Sequence, residues 1–218
     1  MALRVADAEG LEAVSMRRIA GELGVGTMTL YYYVRTKDEL IELMQNEMMA
    51  EVLVPEGELP ADWRRALEAI AGRTRHTFLR HAWAISAPPT SGGPNALAHF
   101  EQSLAAVSGL HADRVARLEV ILMVDDFVFG FIARELALRA ERESPLAAES
   151  AIDAMVAWIQ SQLGDEDYPN IEELIGGRNP RAVLDELEAS VRDVGRFERG
   201  LNRLLDGIAL DLERREAL

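Results

Sequence analysis

Residues 15–37 read Ser15-Met16-Arg17-Arg18-Ile19-Ala20-Gly21-Glu22-Leu23-Gly24-Val25-Gly26-Thr27-Met28-Thr29-Leu30-Tyr31-Tyr32-Tyr33-Val34-Arg35-Thr36-Lys37, the pattern of two short helices around a glycine-containing turn. Ser15 is a good N-cap, because its hydroxyl can accept an orphan backbone N–H; a helix is predicted over 16–23. Gly24 permits the left-handed residue that ends it, Val25 turns inward, and Gly26-Thr27 opens a second helix running to Tyr33. At about 1.5 Å per residue that second helix is roughly 10 Å long, which the DNA major groove admits. Ile19, Ala20, Leu23, Val25, Leu30 and Val34 are expected to form the small core that sets the angle between the two helices. Thr36-Lys37-Asp38-Glu39 is a capping box opening a further helix through Leu40, Leu43 and Met44 towards Val52.

Three consecutive tyrosines on a short helix fan across most of its circumference, so they cannot all be core. One face must meet water or a partner, and phenol hydroxyls are natural phosphate donors. Arg17 and Lys37 flank the second helix where phosphates would run. This is the grammar of a helix-turn-helix that lays a helix in the major groove.

The composition sets bounds on everything else. Of 218 residues, 49% are hydrophobic, enough for a real core, and none is Cys, which excludes disulfides and thiolate metal sites. The longest apolar run, Val120 to Ile132, is broken by Asp125 and Asp126 and is too short to span a bilayer. With no secretory leader pattern at the amino terminus, a soluble cytoplasmic protein without a membrane partner is expected. Net charge is −14, yet residues 15–37 carry Arg17, Arg18, Arg35 and Lys37 against Glu22 alone, net +3, leaving −17 elsewhere. An acidic body with one cationic edge would be repelled from DNA in every orientation except the productive one. No nucleophile with a base at motif spacing, no Gly-rich phosphate loop and no paired ligand spacing among the four histidines is visible. Neither an enzyme nor a metal or cofactor is therefore expected.

Apolar residues recur at helical spacing in Trp63, Leu67, Ile70, Thr74 and Phe78, and in Leu97, Phe100, Leu104 and Val107. The pattern returns in Ile152, Met155, Ile159 and Leu163, then from Leu187 to Leu212. Breaks fall at 54–61, 86–95, 144–145 and 164–180, the last read as a mobile loop with one helical turn. The fold class is all-α. An N-terminal three-helix helix-turn-helix domain spans residues 1–50, and a larger helical domain spans 51–218.

The opening stretch also resembles, almost position for position, the DNA-binding signature of the tetracycline-repressor (TetR) family. The motifs are Ser-Met-Arg-x-Ile-Ala-x-x-Leu-Gly-Val and Thr-Leu-Tyr-Tyr-Tyr-Val-x-x-Lys-x-Glu-Leu, and the likeness covers residues 1 to about 50. A looser likeness to the family's carboxy-terminal domain covers 62–142. It rests on Asp62-Trp63-Arg64-Arg65, Arg80-His81-Ala82-Trp83, Gly93-Pro94-Asn95 and Phe127-Val128-Phe129-Gly130-Phe131. The resemblance implies that Ser15, Met16 and Arg17 touch DNA, that Thr27, Met28 and Thr29 face base edges, and that Tyr31, Tyr32 and Tyr33 meet phosphates or bases. Lys37 would bind a phosphate. It further implies a ligand-responsive regulator, a repressor, bound as a homodimer to a palindromic double-stranded DNA operator and released by a small-molecule effector. The helix from Asp38 to Val52 would swing as a pendulum. An activator with the same contacts stays open, and so does a helical small-molecule binding protein that has lost DNA. Family members usually start several residues earlier, so an extended form is expected to bind an operator more tightly and with less salt sensitivity.

For the effector, His81, Asn95, His99 and Gln102 are the candidate hydrogen-bonding side chains, with Phe78, Trp83, Phe100, Met123 and Phe127 as apolar walls. Apolar side chains from Leu118 to Leu138 cover nearly the whole helix circumference, so burial on several sides is expected. The small stripe Asp126, Gly130, Ala133 and Ala137 would admit another helix. With the apolar face Phe197, Leu201, Leu204, Leu205, Ile208 and Leu212 it suits a four-helix dimer bundle, although packing within one chain is the plainer alternative. Asp125 falls among apolar positions, where a carboxylate must be paired, protonated or bound. It would line the effector cavity or meet an Arg across the dimer.

Overall fold

The computed structural model describes residues 1–88, 92–143, 145–162 and 168–216, and among them it is helical without a strand. The helices are α1 (Ala2–Glu9), α2 (Met16–Glu22), α3 (Thr27–Tyr33), α4 (Lys37–Val52), α5 (Trp63–Arg80), α6 (Trp83–Ser86), α7 (Gly93–Val107), α8 (Arg114–Glu143), α9 (Pro145–Gln162), α10 (Pro169–Ile175), α11 (Pro180–Val191) and α12 (Arg196–Glu216). A single 3₁₀ turn, Leu11–Ala13, joins α1 to α2. Two compact units result: Met1–Arg134 with Leu204–Leu218, and Glu135–Arg203.

Within the first unit the local rules act as expected. Ser15 accepts the Arg18 N–H at 3.2 Å and caps α2. Gly24, at φ +68°, ends it. The Val25 N–H reaches the Ala20 carbonyl at 3.0 Å and the Gly24 N–H the Gly21 carbonyl at 3.1 Å, the paired bonds of a Schellman stop. Thr36 accepts the Glu39 N–H at 3.0 Å, while the Glu39 carboxylate reaches one residue past the cap to the Arg35 N–H at 2.7 Å.

The small core differs from the expected one. Leu23 and Val25 are 48% and 41% exposed, because the turn carries them outward. Val14, Met16, Ile19, Ala20, Leu30 and Val34 form the centre, closed by Ala2, Val5 and Ala6 of α1, Leu40 and Met44 of α4, and Trp83 of α6. Trp83, which lies beyond the end of α4 and α5, thus completes the amino-terminal core.

Elsewhere in this unit α7 turns Ser103, Ala106 and Val107 inward and leaves Leu97 and Phe100 exposed, so its buried face is rotated from the predicted stripe. On α8, Val120, Ile121, Val124, Val128 and Ile132 are buried, whereas Val115, Leu122, Met123 and Phe129 stay exposed. The expectation of burial on several sides is not met within one chain.

In the second unit Arg181 of α11 bridges to α9 near the surface. Its guanidinium meets Glu149 at 3.0 Å and Asp153 at 2.6 Å on α9, and Asp185 one turn along. Val183 is buried. Ile152 and Ile159 are half-buried and Met155 is exposed, while Leu163 lies outside the described residues. In the stretch read as a loop, 164–167 also lie outside them, and Pro169–Ile175 is two turns of helix.

Candidate nucleic-acid interface

The helix-turn-helix presents α3 almost bare. Leu30 alone of its seven side chains is buried, anchoring the helix together with Val34 beyond it. Met28 is 81% exposed, Tyr32 82% and Tyr33 72%. The Tyr32 and Tyr33 rings meet edge to face, centroids 5.2 Å apart. Tyr31 and Thr29 are also exposed and Thr27 is half-buried. Large apolar surface held outward on a short helix marks a binding face.

The first helix of the motif contributes less than its composition suggests. Met16 points inward, so what it offers outside is backbone. Arg18 is held by Glu9 and Glu22, each at 3.0 Å. Among the described residues Arg17, Arg35 and Lys37 remain exposed cations without an ion pair, and Ser15 is exposed beside them. Ser15, Arg17, Arg18, Gly21 and Glu22 border an open hollow of about 600 Å³ on the outer face of α2.

Four of the residues nominated for effector contact are engaged in tying elements of this unit together. The Asn95 N–H and side-chain amide donate to the Asn46 side-chain and main-chain oxygens at 3.0 and 2.9 Å. Asn46 of α4 therefore caps α7, whose own N-cap is Gly92. Gly93 must be glycine here: its φ is +70°, and a Cβ would lie 2.6 Å from Asn46 Oδ1. Gln102 donates to the Val54 carbonyl at 2.7 Å and accepts its N–H at 3.0 Å. His81 lies between Asp7 (2.6 Å) and Glu51 (3.3 Å), and Trp83 donates to Asp7 at 2.9 Å. Arg73 caps α4 by donating to the Glu51 and Val52 carbonyls. Sequence periodicity carried no sign of these ties, since each joins residues 21 or more positions apart.

The other candidates lie on α5, α7 and α8. The rings of Phe78 (α5) and Phe129 (α8) meet edge to face at 5.0 Å, and Phe127 lies 5.7 Å from Phe131. Met123 is half-exposed. His99 Nδ1 and Arg117 Nε are buried without a hydrogen-bond partner among the described residues. Burial holds the His99 imidazole below its ordinary range. Asp125, one turn before Phe129, is pushed up to about 6, first by burial and then by the adjacent Asp126 charge. Arg117 was not anticipated; its position in α8 gave no motif.

A helix-turn-helix on a wholly helical body is the architecture of a DNA-binding regulator. Residues 1–44 match the family described as "Bacterial regulatory proteins, tetR family", and residues 56–212 match "Tetracyclin repressor-like, C-terminal domain". The chain is 34% identical over 215 residues to the HTH-type transcriptional repressor DrrR1 of Streptomyces coeruleorubidus, covering 95% of this chain and 74% of that protein. The structure of ActR from Streptomyces coelicolor, a TetR family protein in complex with actinorhodin, superposes with a TM-score of 0.64 at 30% identity, covering 97% and 94% of the two chains. SCO7222, a TetR from the same organism, shares the fold with a TM-score of 0.67 at 19% identity, covering 95% and 93%. The chain belongs to the tetR family of bacterial regulatory proteins. No helix of the described residues is long and apolar enough to cross a membrane.

Proposed function

We propose that this chain is an effector-released repressor that binds a palindromic operator as a homodimer. The exposed face of α3 carries the reading: Thr27, Met28 and Thr29 at base edges, Tyr31, Tyr32 and Tyr33 at phosphates or bases. Ser15, Arg17, Lys37 and the backbone at Met16 hold the flanking phosphates. Residues 1–50 are the reading head and 51–218 the effector and dimerisation part. Support for pairing comes from the stripe Asp126, Gly130, Ala133 and Ala137, all exposed on α8. The apolar face of α12, by contrast, is largely used within the chain, with Leu205 fully buried.

The effector reading rests on the aromatic pair Phe78–Phe129 and on buried polar atoms of His99 and Arg117 that lack partners, with Asp125 a turn away on α8. A polar aromatic ligand would satisfy such groups. Actinorhodin, bound by ActR, is the first compound to try.

Fluorescence anisotropy with DNA flanking the chain's own gene, at two salt concentrations, tests the DNA reading. Two chains per operator are expected, with at least a tenfold loss of affinity in Tyr32→Ala and in Arg17→Ala (on the order of 1–3 kcal/mol). Absence of specific binding by the unaltered protein would leave a helical small-molecule binding protein as the function.

A further inference from the structure

The contact among Asp7, His81 and Trp83 has no role in the mechanism drawn from α4 alone. Asp7 lies on α1, in the reading head. His81 closes α5, its own N–H bonded to the Thr77 carbonyl at 2.9 Å, and Trp83 begins α6 two residues later. Both side chains converge on one oxygen, Asp7 Oδ1, at 2.6 Å from His81 Nδ1 and 2.9 Å from Trp83 Nε1. His81 and Trp83 are buried at 1% and 5% exposure, and Trp83 belongs to the same apolar cluster as Ala2, Val5 and Ala6. The second nitrogen of His81 faces Glu51 at the end of α4, where Arg80 also pairs at 3.1 Å.

We propose that Asp7, His81 and Trp83 form the joint by which the α5–α6 corner sets the orientation of the reading head. This rests on reading residues 1–50 as the DNA-binding part. The head is thereby held at two points, by α4 and by α1. A swing of α4 with Asp7 fixed would shear the head's own core, so the corner must move for the head to move. Asp7 is a positioning residue in this scheme, acting on DNA affinity without touching DNA. A carboxylate shared by two buried donors suits the task, because a small displacement of the corner breaks both bonds or carries α1 with it.

The chain contains no Cys, so Glu12→Cys and Glu101→Cys, both at exposed positions in the head and on α7, create the sole sites for spin labels. Distances within one chain are read by diluting labelled with unlabelled protein. The unaltered joint is expected to give one narrow distribution. Asp7→Asn and Trp83→Phe are each expected to broaden it about twofold with helicity retained, and to weaken binding to the operator fragment about fivefold or more. Arg64→Gln, which removes the Arg64–Asp206 ion pair elsewhere in the unit, is expected to lower stability without broadening. That contrast separates positioning from mere support. A broad distribution in the parent, or an unchanged width in both variants, would overturn the joint; should Asp7→Asn not fold, Trp83→Phe decides. The label pair needs no DNA, so broadening in a chain that binds no operator would remove the DNA reading and leave the joint standing.

Discussion

Met28 and Tyr32 are each more than four-fifths exposed, although burying either in the fold would bring stability. Side chains of this kind stay outward where a partner covers them, and the partner proposed for α3 is a DNA groove with phosphates on its rim. Asp125 presents the opposite problem, a carboxyl drawn partly inside with no partner among the described residues. Its folded value of about 6 exceeds the ordinary 3.8. The folded chain thus keeps a proton that the unfolded chain has lost, and stability falls as pH rises through that interval. Asp125→Asn is expected to match the parent near pH 4 and to exceed it at pH 8. The gain should be on the order of 1 kcal/mol once solvent screening is allowed for, read from urea midpoints at both pH values. Equal midpoints at pH 8 would mean that the carboxylate finds a cation in solution.

Among the elements, α4 carries the most demanding set of contacts. Its residues supply Asn46 to cap α7 and take caps from Arg73, while Val54 just beyond it has both backbone polar groups paired with Gln102. Gln102→Leu would keep the volume and leave those two groups of a 5%-exposed residue unpaired. A loss of roughly 2–3 kcal/mol is expected in chemical denaturation. A variant of unchanged stability would show that Val54 finds water instead, and that the α4–α7 seam is looser than its geometry implies.

Across the whole molecule, the separation of charge bears on the proposed DNA binding. With −17 carried outside residues 15–37, binding to DNA should be steeply salt-dependent and confined to the cationic edge. Removing one phosphate contact, as in Arg17→Ala, is expected to lower the slope of log affinity against log salt by about 1. An unchanged slope would place Arg17 away from the phosphates. The exposed α8 stripe makes a separate prediction. Ala133→Arg should convert a dimer to a monomer by sedimentation velocity while leaving helicity intact, because the position is open in the single chain. A dimer that survives this change would put the interface elsewhere.

Local chemistry by itself determined the helix-turn-helix. Ser15, Gly24 and Thr36 act through bonds to backbone groups only a few residues away, so their roles were legible from spacing. The all-helical class was legible for the same reason, since the 3.6-residue repeat is a local property. Tertiary structure alone decided what the polar candidates do. His81, Trp83, Asn95 and Gln102 are pocket candidates by residue type, and long-range packing ties them to α1, α4 and the residue just beyond α4. It also decided that Trp83 fills the amino-terminal core while Leu23 and Val25 stay outside. Periodicity reports that a face is apolar but not which surface it meets, and a hydrogen bond between distant residues leaves no trace in spacing.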